Sequence, residues 1–376
     1  MRILLEKTQR RYDVDWVRTV AVFLIIPFHA AIIFDTNVKS IMYIRSGINL
    51  LGLNIFQGIL DRFLMTLLFL LAGMAIYYSL GERTNKEFLL TRRRKLFRPM
   101  VIGFITLCPI TTYIYSKSLG STDSFIQHYI GFFIKPIGNF DGVNGGATPM
   151  HLWFILFLFL FSLMGLPLFR FLMKEKSQIK IDRIANILSK PMFLLFLIIP
   201  YCLIFLVDIL DERNPIAYFF VVLIGFMFAS NEKFQKALDH DKWIYLILSL
   251  IIILIWCFWA IREGETGTIF VLYLKYFITK AARIIPTFAI LGLGNSFIKK
   301  GGRLLKYLSK ASFPIYIIHM TVVTGLGYFI IKLNIYPIIQ YFIIVIFSYI
   351  LCFLFYEGFR RFIQRLNYNL LFIGRK

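Results

Sequence analysis

Charge of either sign is scarce in this sequence, and negative charge is the scarcer. Charged residues occupy 16% of the 376 positions, with 20 Asp and Glu against 42 Lys and Arg, whereas an average soluble domain carries about 25% charged residues. Hydrophobic residues make up 59%. A water-soluble fold of this length cannot bury that much apolar surface, so a soluble globular protein is excluded. The sequence predicts a protein whose solvent is the lipid bilayer.

Cysteine pairs and several common catalytic motifs are also missing. The four cysteines lie in four different apolar runs and form no CxxC motif, so neither a disulfide framework nor a metal site is expected. The sequence contains no GxxxxGK[ST], HExxH or GxSxG pattern. Nucleotide hydrolysis, zinc proteolysis and serine-hydrolase chemistry therefore lack support.

The net charge of +22 does not indicate nucleic-acid binding. Such binding needs a basic face on a soluble module, with aromatic side chains placed to stack on bases. The Lys and Arg residues of this chain instead form short clusters between apolar runs. Clusters of this kind set the orientation of membrane helices and meet anionic lipid headgroups, so the expected partner is the bilayer and not nucleic acid.

The apolar runs predict an all-α integral membrane protein, a bundle of about ten transmembrane helices. Most runs contain the roughly 20 residues that a helix needs to cross the hydrocarbon core. Lys275, Lys280 and Arg283 interrupt the eighth run, which we expect to cross only in its second half. The runs cover about 16–34, 55–80, 99–117, 150–172, 191–210, 214–230, 243–261, 268–297, 312–332 and 336–356.

The Lys and Arg clusters predict the orientation of these helices. Counted from a cytoplasmic N-terminus, nearly all of the clusters fall in alternate loops, as the positive-inside rule requires. Both termini are therefore predicted to be cytoplasmic. We expect one polytopic membrane domain over residues 1–376, without an appended soluble domain, in the cell (cytoplasmic) membrane.

Arg18 and His29 are the most informative polar residues, because an ionisable side chain at membrane depth is costly unless it is paired or hydrated. In an uninterrupted helix they lie about 20° apart on one face and about 16 Å apart along the axis. Arginine suits a phosphate or carboxylate, and histidine suits proton transfer near neutral pH. Pro27 is expected to loosen the helix beside His29. Two alternatives stay open: Arg18 as a topology anchor, and His29 as an interhelical hydrogen-bonding residue.

Further candidates lie near helix ends and within later helices. Asp15 precedes Arg18 by three residues, and it either orients the guanidinium group or serves as a carboxylate at a helix start. His151 and Trp153 open the fourth predicted helix, where such a pair is more typical of an interfacial belt than of a ligand site. His319 is expected to be buried and functional.

Arg283, with Lys280, either lines a polar cavity or caps the outer end of the eighth helix. The loop over about 118–148 is rich in Gly and Asn and offers a plausible contact for an acceptor around Asn144. A flexible loop without such a role is the alternative.

The segment Tyr12–Arg18, followed by His29, resembles the first helix of the acyltransferase 3 family of membrane acyltransferases. Within that family, the continuation Pro27-Phe28-His29-Ala30 is most similar to the glucan-succinylating branch. The stretch 151–154 and the block 312–319 match two further family landmarks. The resemblance spans the whole chain.

This resemblance implies a membrane enzyme that moves an acyl group from cytoplasmic acyl-CoA to a carbohydrate hydroxyl on the outer side. Arg18 would hold the phosphates of the donor, and His29 would be the catalytic histidine. A family pair of arginines should fall among Arg92, Lys95 and Arg98, where one member of each available pair is Lys and lacks the planar fork of arginine. No permanently bound cofactor is implied, since acyl-CoA is a co-substrate. The sequence leaves open acetyl or succinyl as the acyl group, and the identity of the glycan.

Two other classes of function compete with acyl transfer. A transporter or flippase of an acylated or lipid-linked sugar would need an ion-coupling carboxylate at mid-membrane, for which Asp61, beside Arg62, and Asp208 are the candidates. A non-catalytic scaffold or sensor is the third class, and it leaves the pairing of Arg18 with His29 unexplained.

Overall fold

The computed structural model describes residues 10–36, 44–135, 146–207, 209–261 and 268–373, and this part of the chain contains helices and no strand. Asp208 and the loop residues around Asn144 lie outside it. The α-helices of the described part are α1 (Tyr12–Phe23), α2 (Ile25–Ile32), α3 (Leu51–Gly81), α4 (Asn85–Arg92), α5 (Arg98–Ser118), α6 (Phe125–Ile134), α7 (Trp153–Met164), α8 (Leu166–Leu172), α9 (Glu175–Leu188), α10 (Ile198–Ile204), α11 (Pro215–Ser230), α12 (Glu232–Ile261), α13 (Ile269–Phe297), α14 (Arg303–Ile330) and α15 (Pro337–Ile373).

Seven helices in the described residues are long and apolar enough to cross a membrane, and the number rises to nine if each of two bent helix pairs is one span. The prediction of an all-helical, multi-pass membrane protein is therefore confirmed. The count of ten and the cytoplasmic termini stay predictions. The seven long spans are Tyr12–Ile32, Leu51–Gly81, Asn85–Ser118, Glu232–Trp259, Ile269–Phe297, Arg303–Ile330 and Pro337–Phe362.

The run over about 191–210 does not form the single helix that its hydropathy predicts. A 3-10 turn over Phe193–Leu197 leads into the seven-residue helix α10, and α9 meets this segment at a bend of 116°. Pro191 disfavours a helical backbone at the residue before it. Met192 then adopts a left-handed φ of 65°, which turns the chain, and its N–H donates to Asp241 at 2.7 Å. The break thus follows from local sequence, which average hydropathy does not register.

The second bend, of 60°, separates α7 from α8 at Gly165. Pro167 has no N–H with which to continue the helical hydrogen bonding. A Cβ on Gly165 would lie 2.6 Å from the carbonyl oxygen of Phe161, so the bend needs a residue without a side chain.

The described residues fall into two compact units that alternate along the chain. The first unit comprises Met1–Ala21, Ile55–Met100 and Trp153–Leu305. The second comprises Val22–Asn54, Val101–Leu152 and Lys306–Lys376. Each unit has its own buried apolar side chains.

In the first unit, α3 and α11 approach closely through two glycines. A Cβ on Gly73 would lie 2.0 Å from the carbonyl oxygen of Val222, and a Cβ on Gly225 would lie 1.9 Å from that of Leu70. Small residues at helix contacts in membrane proteins permit such close backbone packing. Beside this contact, the ring of Phe69 packs 4.6 Å, between ring centroids, from that of a tyrosine on α11.

In the second unit, polar contacts tie α5 to α14. The hydroxyl groups of Thr111 and Thr321 lie 2.8 Å apart. An added Cβ on Gly327 of α14 would meet the side chain of Ile33 at 2.8 Å. Hydrogen bonds between hydroxyl groups join membrane helices where the apolar surroundings offer no other partner.

Substitution of Gly225 by Ala should destabilise the protein by about 1–3 kcal/mol, because the new methyl group overlaps the backbone of α3. The matched control is Gly52→Ala on α3, where an added Cβ meets nothing within 4 Å. This control should be neutral or stabilising by roughly 0.5–1 kcal/mol, since Gly is a poor helix former. Thermal unfolding of the purified protein followed by tryptophan fluorescence measures both variants. Equal shifts of Tm in the two variants would contradict the close approach of α3 and α11.

Candidate active site

His29 lies on α2, directly after an interruption of the first span at Leu24. Pro27 has no N–H to donate to the carbonyl group of Phe23, four residues earlier. The hydroxyl group of Tyr349 on α15 donates to this carbonyl instead, at 2.7 Å. The proline thus has the local effect that the sequence predicts, and a side chain of the same unit satisfies the freed carbonyl group.

The interruption at Leu24 corrects one assumption of the sequence analysis. The calculation that placed Arg18 and His29 on one face required an uninterrupted helix, and the helix of the structure ends at Phe23 and restarts at Ile25. Arg18 belongs to the first unit and His29 to the second. Their common face therefore stays a prediction.

Three buried histidines of the second unit form one cluster, which we call the histidine cluster: His29, His151 and His319. Their exposed fractions are 8%, 6% and 1%. The rings of His29 and His319 are stacked, with centroids 5.1 Å apart. The ring of His151 meets that of His319 edge-on, also at 5.1 Å. The predicted burial of His319 is confirmed, and His151 is a buried residue and not part of an interfacial belt.

Hydrogen bonds to backbone carbonyl groups fix the tautomers of two of these rings. Nε2 of His151 lies 2.8 Å from the carbonyl oxygen of Ile317, and Nδ1 of His319 lies 2.5 Å from that of Tyr316. A carbonyl oxygen only accepts, so each of these nitrogens carries the proton. In the neutral rings, Nδ1 of His151 and Nε2 of His319 then have free lone pairs. Both atoms are buried without a hydrogen-bond partner among the described residues.

Tyr316 completes the cluster and was not singled out from the sequence. Its hydroxyl group donates to the backbone carbonyl of His151, and its ring centroid lies 5.6 Å from that of His319. Tyr316 and His319 are three residues apart on α14, and this spacing places two side chains on one helix face. The spacing is the signal in the sequence that could have identified Tyr316.

Arg18 lies in α1 of the first unit, next to Asp15. Nη2 of Arg18 lies 2.9 Å from Oδ1 of Asp15, and the other carboxylate oxygen of Asp15 accepts from Arg10 at 2.9 Å. The contact required for Asp15 to orient Arg18 is thus present. The side chain of Arg18 is 38% exposed.

The basic run from Arg92 to Arg98 contains a π turn, over Arg93–Phe97, between α4 and α5. A π turn bonds residue i to i+5, so it shifts the helix face by about one residue and alters the i,i+3 pairs expected of a regular helix. Arg92 packs over the ring of Phe88 at 4.8 Å, and its Nε is buried with no partner in the described residues. Lys95 and Arg98 are exposed. The structure thus distinguishes Arg92 from the other basic residues of the run.

A model of the acyltransferase domain matches residues 11–357, which include the histidine cluster, Arg18 and the run from Arg92 to Arg98. The chain belongs to the acyltransferase 3 family. No curated protein and no solved structure matched it. Family membership makes the chain a membrane acyltransferase.

Trp153 and Arg283, like Arg18 and the basic run from Arg92 to Arg98, belong to the first unit of this acyltransferase. The ring of Trp153 packs against that of Tyr218 at 5.4 Å. The guanidinium group of Arg283 donates to the Tyr218 hydroxyl at 3.2 Å and to the carboxylate of Glu212. Burial alone would raise the pKa of the Glu212 carboxyl, but Arg283 and Lys280 lower it by more than burial raises it. Glu212 is therefore the anionic partner of two cations, a role that its place in a short loop did not reveal.

The tautomers of the histidine cluster can be measured by ¹⁵N NMR of the histidine-labelled acyltransferase at neutral pH. We expect a protonated Nδ1 in His319 and a protonated Nε2 in His151, because each of these atoms donates to a carbonyl oxygen. His240, whose ring is 70% exposed, is the control. Substitution of each histidine by Gln assigns the signals. The opposite tautomer in either ring would contradict the hydrogen bonds described here.

Proposed function

We propose that this membrane acyltransferase moves an acetyl or succinyl group from cytoplasmic acyl-CoA to a carbohydrate hydroxyl on the outer side, as an O-acyltransferase of the cell membrane. Family membership supports the acyl transfer. The histidine cluster carries the proposal for the site, since two of its rings keep a buried, unpartnered nitrogen that can accept a proton. The resemblance to the glucan-succinylating branch supports a glycan acceptor.

The proposed reaction requires one proton to be moved. In the base route, an imidazole accepts the proton of the sugar hydroxyl while the hydroxyl oxygen attacks the thioester carbonyl. The C–S bond breaks, an ester C–O bond forms, and the proton passes to the CoA thiolate. In the carrier route, a neutral imidazole nitrogen first takes the acyl group and releases CoA, and the hydroxyl then attacks the acyl-imidazole. Positioned acid–base groups of this kind contribute typically 10²–10⁴-fold in rate.

We propose that His29 is the reacting residue and that His319 exchanges the proton with it. The proximity of the two rings, whose centroids lie 5.1 Å apart, supports this assignment, because a ligand that reaches one ring lies close to the other. His151 and Tyr316 are positioning residues in this proposal, since their hydrogen bonds link the backbone at 151 to the helix that carries His319. The burial of all three imidazoles also limits the access of water, which would hydrolyse the thioester or an acyl-imidazole.

The donor phosphates are proposed to bind arginines of the first unit. Arg18 and Arg92 are the candidates, with Lys95 and Arg98 as exposed flanking charges. Arginine offers a planar fork that binds phosphate oxygens in pairs, and the buried Nε of Arg92 lacks a partner among the described residues. The side chain of Arg18 is partly exposed, and Asp15 holds its guanidinium group.

Transport of a sugar is the rival function, and the structure offers little support for the ion-coupling carboxylate that transport requires. Asp61, one of the candidates for an ion-coupling carboxylate, lies 2.6 Å from Nη2 of Arg62. The carboxylate of Asp61 is thus already paired with the guanidinium group of its neighbour. No described feature favours transport over acyl transfer.

Label transfer in sealed vesicles tests the proposed reaction. Radiolabelled acetyl-CoA and succinyl-CoA are supplied on the cytoplasmic face, and label in outer carbohydrate is measured. His29→Ala should lower the rate by roughly 10²-fold or more, through loss of the proton acceptor or acyl carrier. Arg18→Ala should lower it roughly tenfold, through loss of a charged hydrogen bond. The control is His128→Ala, which removes a histidine of the second unit that bonds Thr112 at 2.9 Å.

Normal expression of His29→Ala with undiminished label transfer would overturn the assignment of His29. Transfer of an already labelled sugar across the membrane, without any need for acyl-CoA, would favour the transport function instead.

His319→Ala and His29→Ala should reduce the rate without changing the apparent KM for the donor, because both act on the chemical step and not on the donor phosphates.

Arg92→Ala should raise the apparent KM for acyl-CoA roughly tenfold, because it removes a charge-assisted contact with a phosphate. Arg94→Ala is the matched control, since Arg94 is an exposed residue of the same run and should change KM less than about twofold. Arg92→Lys should fall between the two, because lysine keeps the charge and loses the fork. Equal effects of Arg92→Ala and Arg94→Ala would show that only the net charge of the run matters.

A further inference from the structure

Arg283 and Lys280 are buried near the middle of α13 in the first unit, a helix that is long and apolar enough to cross a membrane. Arg283 is 14 residues from each end of this helix. Only 2% of Arg283 and 5% of Lys280 is exposed. Buried cations in a membrane protein are costly and are found where they pair with anions, line a polar cavity or serve a function.

Among the described side chains, the carboxylates that contact these cations are fewer than the cations. Glu212 accepts from Lys280 Nζ at 3.1 Å and also from Arg283, so one carboxylate serves two cations. Asp61 serves Arg62. We call the group of Arg62, Lys280 and Arg283 the cationic cluster. Its three positive charges face two carboxylates among the described side chains, which leaves an excess positive charge.

The cluster also holds donors that no described residue uses. Nε of Arg283 and Nε of Arg62 are buried and lack a hydrogen-bond partner within the described part of the chain. A buried donor left unpaired loses its hydration without compensation. Glu212 already supplies the two oxygens of a carboxylate, and these donors remain unused. The group that completes the cluster therefore needs further acceptor oxygens.

Aromatic rings pack against two of the three cations. The ring of Phe205 lies 3.9 Å from Nζ of Lys280, and the ring of Trp256 lies 5.2 Å from the guanidinium carbon of Arg62. An ionic contact is stronger where rings and backbone replace part of the surrounding water. The exposed side of the cluster, where Glu212 lies, leaves an anion a way in.

We propose that the cationic cluster is a binding site for a phosphate group in the first unit. A phosphate monoester carries close to two negative charges and three acceptor oxygens, which suit the three cations once Glu212 is displaced and supply acceptors for the unused arginine donors. Glu212, whose side chain is 55% exposed, competes with the phosphate for Lys280 and Arg283. The phosphate comes either from a lipid headgroup or from a water-soluble molecule.

Thermal unfolding of the purified full chain in detergent tests this site without any acyl donor, so the result does not depend on the proposed acyl transfer. A ligand that binds the folded protein raises Tm. Phosphatidic acid, phosphatidylcholine and inorganic phosphate are added in separate series. We expect phosphatidic acid to raise Tm and phosphatidylcholine to leave it unchanged. A rise with inorganic phosphate as well identifies a site for soluble phosphates, and no rise with it identifies a lipid site.

Two variants decide whether the cationic cluster is responsible. Arg283→Gln should abolish the rise, because it removes the central donor. Glu212→Gln should lower the half-saturating phosphate concentration about fivefold, since it removes the competing carboxylate. A gain of binding of this kind cannot result from a folding defect, so the test stands even if Arg283→Gln does not fold.

Lys236→Gln is the control, since it removes the same charge from a surface pair with Glu232. It should leave the response unchanged. The proposal is overturned if neither phosphate raises Tm, or if Glu212→Gln responds no more strongly than the unchanged protein.

Discussion

Several buried polar side chains of this protein donate hydrogen bonds to backbone carbonyl groups, because apolar surroundings offer them few other partners. The carbonyl of Phe23, which Pro27 cannot serve, accepts from Tyr349. The carbonyls of Ile317 and Tyr316 accept from His151 and His319. The break in the first span and the orientation of the two rings therefore depend on the same kind of bond.

Composition and hydropathy predicted the class of fold, because the bilayer imposes a length and an apolar character on each span. They predicted the bounds of α3 and α13 to within a few residues, whereas α12 and α14 begin well before their predicted runs and α15 extends well past its run. They failed where single residues override an average. Pro191 and Met192 turn the chain at the start of one apolar run, and Gly165 with Pro167 bends the helix within another. Such breaks depend on backbone conformation at one or two residues, and a hydropathy average over about 20 residues does not detect them.

The candidate site was predictable to the extent that its residues are unusual for a membrane span. His29, His151 and His319 could each be selected because an ionisable group is costly there. Their mutual contact could not be predicted, since it joins three segments that are far apart in sequence. The difference in burial between Arg92 and its neighbours also could not be predicted from the sequence, because the π turn at Arg93–Phe97 changes the helix face on which each side chain lies. Glu212 drew no attention, because a carboxylate in a loop is ordinary until its partners are known.

The opposite tautomers of His151 and His319 restrict how protons travel in the histidine cluster. Each ring has one nitrogen committed to a carbonyl oxygen, so only its other nitrogen can gain or lose a proton. A ring of this kind cannot pass a proton in at one edge and out at the other while its carbonyl bond is kept. It takes up and releases a proton at the same nitrogen, and it does not conduct protons through the ring. Such a ring suits an exchange in which the proton leaves an attacking hydroxyl and goes to a departing thiolate. It would oppose a proton leak through the cluster, so this histidine-rich interior remains compatible with an energised membrane.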